Sequence, residues 1–253
     1  MITLPAAIAL AAAVLTTSFV SGIFGMAGGI ILIVMLLVLM PVAPAMVLHG
    51  ATQLVSNAWR AWLWRSEIRW TIFVYYAIGA FAALTFFSFV RFTPDKPATL
   101  IAVGIIGFAG LWLPNRIAPD VTRPMHSVGC GALCTALQLV AGISGPVLDV
   151  SFVRTDLNRM ETVATKAVVQ ALGHLLKVVY FGQLLAGSDG TVAPMAIALA
   201  VVTAVIGTQM SRHILDRITD TQFRNWSRGL IVGIAAACLI QGVTMLGIEA
   251  RAF

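Results

Sequence analysis

Two sets of polar residues recur at helical spacing in a chain that is otherwise largely apolar. The first is His49, Gln53, Asn57 and Arg60, with Ser56 beside Asn57. The second is Thr162, Lys166, Gln170, His174 and Lys177, with Gly173 beside His174. Steps of three and four residues place each set on one face of a helix. In lipid such a stripe must turn inward, because a buried ionisable group costs several kcal/mol unless it is paired. The residue types suit an oxyanion: side-chain amides donate hydrogen bonds, Lys166 supplies positive charge, and imidazoles carry protons. The two sets also match in register. A shift of 117 positions takes His49 to Lys166, Gln53 to Gln170, Asn57 to His174 and Arg60 to Lys177 without a gap.

These residues admit more than one role. Lys166 either neutralises a bound anion directly or pairs with Asp149, as a gate, a proton relay or a fixed structural contact. Gln53 and Gln170 either donate to an oxyanion or bond between helices. His49 and His174 either carry protons, which leaves proton coupling open, or are satisfied polar core residues. Arg60 and Lys177 fall near helix ends on opposite membrane faces, as funnel charges for an approaching anion or as snorkelling anchors. Trp59, Trp62, Trp64 and Trp70 gather near one boundary, which fits an interfacial belt.

The elements that must position these side chains include two glycine-rich breaks. Ser21-Gly-Ile-Phe-Gly25-Met-Ala-Gly28-Gly29 returns as Val140-Ala-Gly142-Ile-Ser144-Gly145-Pro146, and the same shift takes Gly25 and Gly28 to Gly142 and Gly145. A break inside apolar sequence exposes backbone groups that lipid cannot satisfy, so it must be buried or line a wet cavity. A short helix starting after each break presents unpaired N–H groups and partial positive charge. Gly28, Gly29 and Gly145 leave that backbone open, and Pro146 suits a first helical turn. Two such starts facing each other form an anion site; the alternative is that the glycines only permit close packing.

Composition sets the class. The chain has 253 residues, 59% apolar and 10% charged, with a net charge of +6. A soluble domain carries about 25% charged residues, so a polytopic, all-α membrane protein is expected, retained in the inner (plasma) membrane. The basic residues are scattered between apolar segments, which argues against a nucleic-acid partner. Cys130, Cys134 and Cys238 lie in apolar segments and read as small buried residues. No metal or cofactor motif is present, and Pro5–Phe24 lacks the basic flank of a cleaved signal.

Eight spans are predicted, at 5–24, 45–64, 70–90, 98–113, 125–141, 162–185, 192–210 and 226–246, with short pieces at 29–40 and 146–153. Neither short piece can cross alone at about 1.5 Å per residue. Treating 5–40 and 125–153 as hairpins puts eleven basic residues on the cytoplasmic side against Arg91 and Lys96 in outside loops and Arg251 at the C-terminus, as the positive-inside rule favours. Treating each as one crossing moves Arg60, Arg65, Arg69, Arg116 and Arg123 outside. The hairpin arrangement gives two inverted repeats, 1–113 and 125–253, joined by a linker at 114–124. Both termini then fall outside. Paired interruptions in inverted repeats mark the binding site of many secondary transporters.

The two breaks, the Ala51-Thr52 and Ala164-Thr165 steps and Glu67-Ile-Arg-Trp70 together resemble the TauE/SafE family of sulfite and sulfonate exporters over essentially the whole chain. The family pattern is richer in glycine; Ala27 and Ile30 replace glycine in the first copy, Ser144 and Pro146 in the second. The resemblance implies a secondary transporter of a small oxyanion rather than an enzyme. The expected substrate site comprises Gly25, Gly28, Gly29, His49, Gln53, Asn57, Ser144, Gly145, Lys166, Gln170 and His174, with Asp149, Arg60 and Lys177 in coupling or gating. Two rivals remain. A cation or metal transporter needs several intramembrane carboxylates, and Asp149 alone lies well inside a hydrophobic segment. An integral membrane enzyme needs a catalytic motif such as HExxH or GxSxG, and none appears.

Overall fold

A computed structural model describes residues 4–24, 26–112, 119–186, 192–215 and 220–249, and every longer regular element among them is an α-helix. In chain order these are α1 (Leu4–Phe24), α2 (Met26–Leu39), α3 (Val42–Leu63), α4 (Trp70–Val90), α5 (Lys96–Trp112), α6 (Pro124–Ala141), α7 (Gly145–Phe152), α8 (Arg159–Ala186), α9 (Pro194–Leu215) and α10 (Asp220–Glu249). A single 3-10 turn, Arg65–Glu67, follows α3. Gly25, Leu113 at the end of an expected span, residues 114–118 of the expected linker, 187–191 of the expected outside loop, 216–219 of the expected cytoplasmic loop with Arg217, and the extreme termini lie outside the described residues.

Large apolar side chains cover much of the surface, and a set of polar residues lies within an otherwise apolar interior. Phe81, Phe86, Phe89, Trp112, Leu133 and Ile240 are exposed, while His49, Gln53, Asn57, Thr135, Gln138, His174 and Lys177 are buried. Exposed large apolar side chains of this number suit lipid contact, and polar side chains avoid lipid by facing inward. Four helical stretches among the described residues are long and apolar enough to cross a membrane: Trp70–Val90, Arg159–Ala186, Pro194–Ser211 and Arg228–Ile248. Helix α3 has 22 residues but falls short on hydropathy, because its inward stripe of His49, Gln53, Asn57 and Arg60 lowers the average. Trp59, Trp62 and Trp70 are exposed, and the Arg65 guanidinium stacks 4.7 Å over the Trp62 ring.

Local chemistry sets the helix ends. Asn158 begins α8 with a capping box: its Oδ1 accepts from the N–H groups of Met160 and Glu161, and Glu161 Oε2 accepts from the Asn158 N–H. Asp95 Oδ1 caps α5 through the Ala98 N–H, and Pro124 and Pro146 occupy the first turns of α6 and α7. Helix α6 stops at Gly142, whose φ of +76° is the left-handed conformation that glycine adopts without a Cβ clash. Ahead of α6, the Thr122 hydroxyl holds the Asp120 carboxyl below its ordinary range, with help from the Thr122 N–H and Arg123.

Packing is dominated by four helix pairs: α3 with α8, α1 with α9, α4 with α6, and α5 with α10. Helices α3 and α8 run antiparallel: Gly50 near the start of α3 meets Lys177 and Val178, while Arg69 beyond its end meets Glu161 and Thr165 near the start of α8. Helices α5 and α10 are also antiparallel, since Gly242 meets Pro97 and Ile101 while Gly107 meets Ile231 and Ala235. Helices α4 and α6 run parallel, with Ile72 against Ser127 and Tyr76 against Gly131. Any side chain at Gly79 or Gly131 would overlap the opposing backbone, so these glycines set the α4–α6 separation. Helix α2 folds back onto α1, and a Cβ at Gly28 would overlap Thr17 O and Ser21 N.

Candidate functional site

The α3–α8 contact carries a buried polar cluster that reaches both breaks. Lys177, fully buried, donates from Nζ to Gly142 O at 2.9 Å and lies 2.6 Å from His49 Nδ1. His49 Nε2 lies 2.9 Å from Gly29 O. That contact requires a proton on Nε2, because the carbonyl only accepts, so in the neutral ring Nδ1 accepts from the Lys177 amino group. A continuous chain therefore runs from the carbonyl at the end of α6, through Lys177 and His49, to the carbonyl in the first turn of α2. The His174 ring lies edge-on to His49 with centroids 5.5 Å apart.

The expected residues divide into those that join this cluster and those that do not. Gly29 and His49 are in it, and His174 borders it. Gln53 lies beside Gly29: a Cβ on that glycine would stand 3.5 Å from the Gln53 amide. Asn57 is buried but spends one amide hydrogen on Gln53 O at 2.9 Å. Ser144 and Gly145 are buried at the start of α7, and Gly28 packs against α1. Gln170 and Arg60 are half-buried on α8 and α3. Gly25 lies outside the described residues.

Two placements differ from the sequence expectation. Lys177 was expected near a helix end, yet it sits at the centre; α8 runs nine residues beyond it, to Ala186. Lys166, expected in the substrate site, stands about 16 Å from Lys177, toward the start of α8, at 1.5 Å per residue. It forms an ion pair with Asp149 of α7, and both side chains are partly exposed. A second ion pair, Arg69 to Glu161 at 3.0 Å, ties the turn after α3 to the start of α8.

Sequence reasoning missed one participant, the Gly142 carbonyl, and one neighbour, Gln138, whose amide lies against Gly173 next to His174. The first has no side-chain signature at all. The second had one, a lone glutamine one turn before a break on an apolar helix.

Among the described residues no carboxylate approaches Lys177, so its buried amino group meets only neutral acceptors. An all-helical chain with membrane-length apolar helices, and with interrupted helices meeting at a buried lysine, has the make-up of a membrane transporter. The sequence comparison agrees: a family model described as "Sulfite exporter TauE/SafE" matches residues 9–238. The chain belongs to that family and is a membrane-embedded transporter. No curated protein and no solved structure matches it.

Proposed function

We propose that the protein is a secondary exporter of a small oxyanion, of the sulfite or sulfonate kind, working by alternating access around the Lys177 cluster. The observation that carries this reading is a fully buried lysine with no carboxylate partner among the described residues, bonded to backbone at one break and, through His49, to backbone at the other. A buried cation without an anion costs several kcal/mol, and an anionic guest removes that cost. Two of its three N–H donors are used by Gly142 O and His49, which leaves one for the guest. The starts of α2 and α7 add partial positive charge. The same lysine disfavours a cation or metal cargo.

The pattern of helix pairs supports two inverted repeats. Exchanging α1–α5 with α6–α10 maps the α1–α9 pair onto α6–α4, the α3–α9 pair onto α8–α4, and the α3–α8 and α5–α10 pairs onto themselves. Matching helices that pair with each other run antiparallel, as an inverted repeat requires. Under this reading residues 1–113 and 125–253 are the repeats, each a hairpin with three crossings. The termini lie outside the inner membrane and Arg65, Arg69, Arg154 and Arg159 lie inside. The Lys166–Asp149 and Arg69–Glu161 pairs then form a cytoplasmic gate. His49 and His174 are the groups placed for proton coupling. A negative cell interior favours expulsion by about 2.3 kcal/mol per charge per 100 mV.

The test is flux in liposomes. Wild-type protein should move sulfite or a small sulfonate, and Lys177→Met should reduce the initial rate by about 100-fold or more, the scale of losing one buried charge-assisted contact. Undiminished flux in Lys177→Met would remove the site from the cluster.

A further inference from the structure

Four buried side-chain atoms among the described residues have no hydrogen-bond partner: Ser18 Oγ, Thr135 Oγ1, Gln138 Oε1 and His174 Nδ1. Buried polar groups in folded proteins are nearly always partnered, so each orphan calls for a reason. Three of the four belong to α6 and α8, beside the cluster described above. Thr135 and Gln138 stand one turn apart on α6, just ahead of the Gly142 break. A Cβ on Gly173 would lie 3.4 Å from Gln138 Nε2, so the Gln138 amide rests against α8 next to His174. Exposure is 0% for Thr135, 2% for Gln138 and 6% for His174, which rules out bulk water as the partner.

We infer that the transported anion carries a hydrogen-bond donor of its own, as a hydrogen-oxyanion or as a sulfonate or carboxylate with a hydroxyl or amino group near its charged head. The inference rests on the anion-site reading above. Lys177 and the backbone N–H groups of the breaks supply donors for the charged oxygens. The Gln138 amide oxygen supplies only lone pairs. A bare oxyanion also offers only lone pairs, so it would be repelled by Gln138 Oε1 and leave that atom unpaired. An O–H or N–H on the guest satisfies it, with Thr135 and His174 at hand as further polar partners. The orphan hydroxyl recurs in the other half, at Ser18, but the amide exists on one side only. The positions 117 residues earlier than Thr135 and Gln138 are Ser18 and Ser21, where a serine stands in place of the amide. The guest therefore has one preferred orientation: charged head on Lys177, donor toward α6.

Sites built to hydrogen-bond a substrate hydroxyl reject the analogue that lacks it, because their own polar groups are left unpaired. The experiment compares radiolabelled ethanesulfonate with hydroxyethanesulfonate, which differ by one hydroxyl, on wild-type protein in liposomes. The hydroxylated anion should half-saturate uptake at a concentration lower by about 10-fold or more, and in Gln138→Leu that ratio should fall toward one. Equal handling of the pair by the wild type, as a buried water on the same atoms would produce, overturns the donor requirement while the anion site stands. A ratio that persists in Gln138→Leu overturns the part given to Gln138. Failure of the wild type to move either sulfonate or sulfite overturns both this inference and the reading beneath it. The wild-type comparison stands whether or not the variant folds.

Discussion

At the scale of single residues, two lysines of one helix have opposite surroundings. Lys177 is sealed among neutral acceptors, whereas Lys166 is partly exposed and tied to Asp149. The first arrangement suits a charge that waits for a guest, and the second suits a contact that opens and closes. The difference can be tested by exchanging charges. Asp149→Asn and Lys166→Ala should each slow flux, while the double exchange Asp149→Lys with Lys166→Asp should restore most of it. A lysine that touched the anion directly would not be rescued in this way, so a dead double variant would return Lys166 to the binding site. His49 is tested through its geometry: His49→Phe removes the link between Lys177 and Gly29 and should slow flux by about 10-fold or more, as for loss of a hydrogen bond to a charged group. The residue types at both places were legible in the sequence as polar stripes. Their depth was not, because depth depends on which helices pack around them: Lys177 is enclosed by His49 of α3 and the Gly142 carbonyl, and neither contact is written in α8 itself.

At the scale of elements, the sequence was a good guide wherever a local signal exists. Helix α4 falls on the expected residues 70–90 because Arg69 and Arg91 bracket an uninterrupted apolar run. Helix α8 begins three residues early, because Asn158 and Glu161 form a capping box outside the apolar segment. Helix α10 extends beyond the expected span at both ends, since polar residues continue a helix that lipid no longer requires to be apolar. Which helices pair is not written locally. The close approach of α4 and α6 depends on Gly79 and Gly131, and each is an ordinary glycine until its opposite number is known. Two element-scale outcomes follow. Asn158→Ala should destabilise the start of α8 by about 1 kcal/mol, measured by denaturant titration in detergent, with transport affinity unchanged. Gly131→Leu should do far more, because Tyr76 O occupies the space a side chain needs, and loss of a folded monodisperse species in detergent is the expected readout.

At the scale of the whole molecule, the direction in which helices pair bears on how many times the chain crosses. If α1 with α2, and α6 with α7, each made one continuous crossing, α3 and α8 would enter the membrane from the same side and pack parallel. They pack antiparallel, as do α5 and α10, and this favours hairpins that enter and leave on one face. The two arrangements assign three exposed positions differently. Ser66 follows α3, Thr93 precedes α5, and Asp156 precedes α8. With hairpins, Ser66 and Asp156 share the cytoplasmic side and Thr93 faces outward. With continuous crossings, Thr93 and Asp156 share a side and Ser66 stands alone. The three native cysteines are buried, so single cysteines placed at these positions should label over a low background. In whole cells, a membrane-impermeant maleimide should reach Thr93→Cys and spare Ser66→Cys and Asp156→Cys until the membrane is permeabilised. Labelling of Ser66→Cys alone in intact cells would restore the continuous crossing. The two breaks would then no longer open from opposite faces, and Lys177 would join them without serving as the pivot of an alternating cycle.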